Sequence, residues 1–180
     1  MRARVPGAGE RSLVRAVFIA AAVSFSSCGS AALMAAPSQA PTLSCRLEAD
    51  VDAGPTHVRF TLCNETDAAV AVLKWYTLFE GFAGDLFVVT AADGRVVEYD
   101  GPMVKRAAPT RDSYLVLPPR ECQSAALDAG RHYPMRDGTY SVRFERGLSD
   151  VAAVGAIPRG PDRHRAMPLA CGPAVLRVGK

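Results

Sequence analysis

From residue 42 onward, hydrophobic positions recur at every second residue rather than every third or fourth. Leu43, Cys45, Leu47, Ala49 and Val51 alternate with Ser44, Arg46, Glu48 and Asp50. That is the pattern of a strand with one face in a core and the other in water. Val58, Phe60 and Leu62 alternate likewise with His57, Arg59 and Thr61, and Asn64-Glu65-Thr66-Asp67 is a polar turn. Residues 69–75 form a third, mostly apolar strand. Residues 86–90 and 95–99 flank Ala91-Ala92-Asp93-Gly94, whose Asp-Gly pair signals a hairpin. Residues 114–117 and 122–128 surround Pro118-Pro119, which cannot donate to a sheet ladder and so forbids one continuous central strand. Tyr140, Val142 and Phe144 alternate with Ser141, Arg143 and Glu145, and residues 174–178 close the chain. Seven to eight short strands without a helical period predict an all-β fold, an immunoglobulin-like β-sandwich over residues 42–180. Residues 146–168 carry scattered Gly and Pro with little pattern and read as a long loop.

The first forty residues differ in kind. They hold four arginines against one glutamate and so account for the whole formal net charge of +3. The remaining chain is neutral, which excludes the basic excess that nucleic-acid binding needs. Residues 16–25 (AVFIAAAVSF) are too few to span a bilayer but match the hydrophobic core of a secretory signal. The expectation is a signal peptide over residues 1–30, a linker over 31–41, and an exported protein: periplasmic, extracellular or lipid-anchored at the outer membrane. Phe25-Ser26-Ser27-Cys28-Gly29-Ser30 resembles a bacterial lipobox, with Cys28 as the lipid acceptor, although that motif usually has Leu where Phe25 stands. Cleavage at small residues nearby is the competing reading. Membrane contact is expected only through such an anchor or the signal itself.

Setting Cys28 aside leaves Cys45, Cys63, Cys122 and Cys171, an even number suited to an oxidising compartment. Their spacing contains no C-x-x-C, so neither a zinc ribbon nor a thioredoxin-type site is indicated. In an immunoglobulin-like order, the strand ending at Cys63 and the strand beginning at Cys122 are antiparallel neighbours, which favours Cys63–Cys122 and leaves Cys45 for Cys171. A Cys45–Cys63 pairing across the first hairpin is the alternative.

Residues for catalysis are scarce. His57, His132 and His164 lack partners at metal-ligand spacing, and no nucleophile elbow or phosphate-binding glycine loop occurs. Glu80 and Asp85 flank a glycine turn, where carboxylates are usually solvated or cap backbone amides. No cofactor, metal or enzymatic activity is expected. Asn64-Glu65-Thr66 has the form of a glycosylation sequon.

The most distinctive stretch is Trp75-Tyr76-Thr77-Leu78-Phe79-Glu80-Gly81-Phe82-Ala83-Gly84-Asp85-Leu86-Phe87, dense in aromatics within a chain only 7% aromatic. Together with Leu73-Lys74, Tyr99-Asp100-Gly101, Val104-Lys105-Arg106, Pro109, Tyr114, Pro119-Arg120-Glu121 and Gly138-Thr139-Tyr140-Ser141-Val142, it resembles the β-sandwich domain that precedes the catalytic domain in bacterial deuterolysin-type (aspzincin) zinc endopeptidases. The resemblance spans about residues 42–145 and the final strand. Leu78 departs from it, standing where that pattern has Pro. The family's zinc-binding catalytic domain has no counterpart in these 180 residues, so the resemblance implies an accessory module and does not carry over peptidase activity.

Trp75, Phe87 and Tyr140 are expected in the sandwich core. The candidates for partner contact are Tyr76, Phe79, Glu80, Phe82 and Asp85 in the loop, because loops on a rigid sandwich commonly carry binding. Lys105 and Arg106 are further candidates for partner contact; with Arg111 they form a small basic patch whose simpler reading is solvation or pairing with Asp100 and Asp112. The expected role is a non-catalytic protein-binding module, an accessory, chaperone or inhibitor of a secreted or periplasmic metallopeptidase. The alternative is an envelope structural lipoprotein without a protease partner.

Overall fold

A computed structural model describes residues 42–179; the signal segment, Cys28 and the linker lie outside the described residues. Ten strands follow in order. β1 (Leu43–Ala49), β2 (His57–Asn64) and β3 (Val70–Leu73) come first, then β4 (Val88–Ala91) and β5 (Val96–Val97). β6 (Tyr114–Leu117), β7 (Cys122–Asp128) and β8 (Gly138–Phe144) precede β9 (Val151–Ala153) and β10 (Cys171–Val178). Every pairing is antiparallel, in the sheets β1-β2-β7, β10-β8-β4-β5 and β6-β3-β9. The all-β sandwich is as expected, with ten strands rather than seven to eight.

Two of the three sheets are joined by interrupted strands. Cys63 pairs with Cys122 at the end of one ladder, and Leu117 pairs with Val70 at the start of the next. The gap is bridged by Asn64 N–H to Glu121 O (2.9 Å) and Arg120 N–H to Thr66 O (3.2 Å). Asn64 is the clamp. It is only 1% exposed, its amide donates to Ala68 O at 2.8 Å and Pro118 O at 2.9 Å, and its Oδ1 accepts from Thr66 Oγ1 at 2.7 Å. The sequon is therefore a bend fastener in the folded protein, since the nitrogen that a glycan would need is buried and already donating.

The alternation seen in the sequence decides what is buried. Leu43, Leu47, Val58, Phe60 and Leu62 of β1 and β2 share one core with Val89, Tyr140, Val142, Phe144 and Leu176 of the facing sheet. The rings of Phe60 and Phe144 meet at 5.2 Å. Each such side chain contributes about 1.5–3 kcal/mol through burial. Cys45–Cys171 joins β1 to β10 (Cα–Cα 5.6 Å), while Cys63–Cys122 links directly opposed residues of β2 and β7 (Cα–Cα 4.0 Å). The favoured pairing holds. With sequence separations of 126 and 59 residues, the chain-entropy model gives the bridges about 5 and about 4 kcal/mol.

Residues 146–168 are not simply a loop. They contribute β9, which pairs with β3 from Val70↔Ala153 to Val72↔Val151, and a bridge between Leu148 and Met167. Three residues are too short a run to display period two, which is why the sequence hides this strand. A buried network pins the excursion. The Asp150 carboxylate, 0% exposed, accepts from Tyr114 OH (2.9 Å), Arg165 N–H (2.7 Å) and Arg159 Nε (3.1 Å), and it also pairs with Arg159 Nη2. Arg159 Nη2 donates further to Val151 O at 2.7 Å. Burial pushes the Asp150 pKa up, but the hydrogen bonds from Arg159, Arg165 and Tyr114 and the Arg159 charge outweigh it, leaving the group below the ordinary aspartate value.

Trp75 differs from expectation as well. β3 ends at Leu73, and Trp75 falls in the next turn, half-buried against a smaller cluster of Ala71, Leu73, Tyr114, Ala152 and Ile157. Phe87 and Tyr140 do lie in the main core.

Candidate interaction surface

The β3–β4 connection is built as a folded shelf rather than an open loop. Lys74 N–H donates to Ser113 O (2.9 Å), and Thr77 Oγ1 donates to Lys74 O (2.6 Å) while accepting from Phe79 N–H (3.3 Å). Thr77 thus caps a 3-10 turn, Leu78–Glu80, which buries Leu78. Tyr76 adopts the left-handed backbone with φ +57, unusual for a residue with a Cβ. Its N–H reaches Glu80 Oε2 at 3.3 Å, which helps to hold that conformation.

The aromatic side chains turn inward. Phe79 packs edge-on against Phe60 at 5.6 Å. Phe82 meets His132 at 4.9 Å, Tyr99 at 6.3 Å and Phe87 at 6.4 Å. Asp85 accepts from Tyr133 OH at 2.6 Å and pairs with Arg146 at 3.2 Å, and the same phenol oxygen accepts from Leu86 N–H (3.0 Å) and Phe87 N–H (2.8 Å). Burial first, and then the Asp85 hydrogen bond, hold the Tyr133 phenol well above its ordinary pKa, so it remains a neutral donor.

Arg106 is the keystone. Its guanidinium lies 4.8 Å from the Tyr76 ring centroid and 5.3 Å from that of Trp75, and its Nη1 pairs with Glu80 Oε1. The side chain is only 11% exposed, and its Nε and Nη2 are buried without partners. This differs from the expected pairing with Asp100 or Asp112: those carboxylates lie next door in sequence, whereas Glu80 is 26 residues away and meets Arg106 only through the fold. Asp100 instead lies 3.9 Å from His132. Arg111 donates to Ile157 O at 3.3 Å.

Tyr76, Phe79, Glu80, Phe82, Asp85 and Arg106 are thus gathered into one assembly, spent largely on intramolecular contacts, with Lys105 exposed beside it. They support a segment of which the sequence named Lys105 and Arg106 as candidates for partner contact but not Met103. Residues 101–109 run across this end without regular structure, and Met103 and Val104 are 70% and 47% exposed. The segment starts where only glycine fits: a Cβ on Gly101 would lie 2.4 Å from Tyr99 Oη and 2.6 Å from the His132 ring. The signal available in the sequence was an apolar pair, Met103-Val104, set between Pro102 and a basic pair with no alternation to bury it. Among the described residues, no group of three or more His, Cys, Asp or Glu is placed to hold a metal ion.

No family model matches the chain. Over 118 residues, 63% of this chain, it is 33% identical to an extracellular protease of Aeromonas hydrophila. The match takes in 33% of that relative, so the chain spans about a third of its length.

Proposed function

We propose that this protein is a non-catalytic, exported module that binds a secreted peptidase and acts on it as an accessory, chaperone or inhibitory domain. The similarity to one third of an extracellular protease carries this reading. Two disulfides suit an oxidising compartment, and Glu80, Asp85 and Asp150 are all committed to arginines within the chain rather than to an open cleft. The deuterolysin-type accessory domain is the specific origin we favour, on the motifs gathered around Trp75 and Arg106.

The test mixes the pure protein with the secreted metallopeptidases of its source organism and with the Aeromonas hydrophila extracellular protease. We expect a change in proteolytic rate or in zymogen maturation, together with retention of the peptidase on the immobilised protein. If rate, maturation and retention were all unmoved, or if the pure protein itself cleaved substrate, the proposal would fail.

A further inference from the structure

Residues 102–107 are fastened at alternate positions. The Pro102 carbonyl accepts from Tyr99 OH at 3.0 Å, Val104 N–H donates to Ala83 O at 3.1 Å, and the Arg106 side chain is held between Glu80 and the rings of Trp75 and Tyr76. Pro109 is buried at the far end. Between Pro102 and Ala107 the odd positions are the free ones. Met103 is 70% exposed and Lys105 is exposed, and neither backbone forms a hydrogen bond among the described residues. Elsewhere Val51, Val96, Val116 and Val175 are exposed singly, which is ordinary for a protein surface. Among the described residues, only here do large exposed apolar side chains adjoin in sequence, next to an exposed cation and unpaired main-chain groups.

We infer that residues 102–107 form a braced strap that enters the substrate cleft of the partner peptidase as a peptide does, with Met103 and Lys105 as the inserted side chains. This rests on the proposed function above and names the surface and the mode. Clefts that bind extended peptides draw affinity from main-chain hydrogen bonds and specificity from alternate side-chain pockets. A strap with tethered even positions and free odd positions offers both. The tethers also lower the cost of binding, because the strap gives up little conformational freedom on docking. They should slow cleavage too, since the strap cannot readily distort into a reactive geometry.

The experiment uses the full mature chain and whichever peptidase the wild-type column retains, assayed on a short fluorogenic peptide that it cleaves. Wild type should inhibit competitively with the peptide. The variant Met103→Asp with Lys105→Glu should raise the inhibition constant about a hundredfold, as loss of two central contacts does, while Val175→Asp on β10, at the opposite edge of the sheet from β5, leaves it unchanged. Glu80→Gln, which loosens the brace, should turn the strap into a substrate, with cuts between residues 102 and 108 visible by mass spectrometry. Unchanged thermal melting of the double variant guards against misfolding. Retention of the peptidase with non-competitive inhibition, or with full potency in the double variant, overturns the strap and leaves the proposed function standing. No retention of any peptidase overturns both.

Discussion

Two irregular regions of this protein are each held by an arginine on a carboxylate, and they are built to opposite ends. In the excursion of residues 146–168, Asp150 is wholly buried and all its acceptor capacity is used, by Arg159, Arg165 and Tyr114. In the shelf under the strap, Glu80 retains some exposure and Arg106 keeps two buried nitrogens without partners. A fully satisfied network closes a segment onto the sheet and leaves little to offer outside. An incompletely satisfied one, with a left-handed tyrosine above it, holds a segment whose outer side is open. The first clamp serves the fold, and the second presents a surface.

Breaking the first clamp should produce the largest effect. Asp150→Ala strands Arg159, which is 13% exposed, and should cost about 3–5 kcal/mol in chemical denaturation. A loss under 1 kcal/mol would remove the distinction between the clamps. Next comes Tyr133→Phe, which removes the acceptor of two backbone N–H groups and the donor to Asp85. We expect a loss of about 1–3 kcal/mol, with the shelf exchanging amide hydrogens faster than β9. Glu80→Gln keeps a hydrogen-bonding group beside a partly solvated pair and should cost about 1 kcal/mol or less. Its main consequence should be local, in the protease sensitivity of the strap rather than in global melting.

The smallest effect sharpens the contrast through pH. Asp150 has a lowered pKa when folded, so the unfolded chain binds its proton first as the pH falls. Its stabilisation is therefore complete above the ordinary aspartate value of about 4 and is lost as the pH drops through the lower folded value. Wild type should lose stability below about pH 4 more steeply than Asp150→Asn, as followed by urea melts at several pH values. Equal acid slopes for the two proteins would show that folding does not lower the Asp150 pKa.

The core and the site were readable from the sequence to different depths. β6 and β7 coincide with the residues read as strands on either side of Pro118-Pro119, because a proline pair and a parity pattern are local signals. Trp75 was misplaced by two residues of strand, since an apolar run does not show where the ladder stops; here β3 gives way to a turn closed by Thr77. The aromatic loop was visible as a composition, but its direction was not. Phe79 and Phe82 turn inward because Phe60 and Tyr133 are there to receive them, at sequence distances that no window spans.

The sequence alone determined what depends on neighbours along the chain: the two-residue period, the turns, the even set of cysteines beyond Cys28, and the balance of charge after the first forty residues. Only the tertiary structure decided which charges meet. Glu80 finds Arg106, Asp85 finds Tyr133 and Arg146, and Asp150 finds Arg159, so residues expected to face a partner became the frame for Met103 and Lys105. The physical reason is range. Strand periodicity is set by backbone geometry within a few residues, whereas ion pairs and ring contacts are set by which strands lie side by side, and that is settled only when the two faces close on a common core.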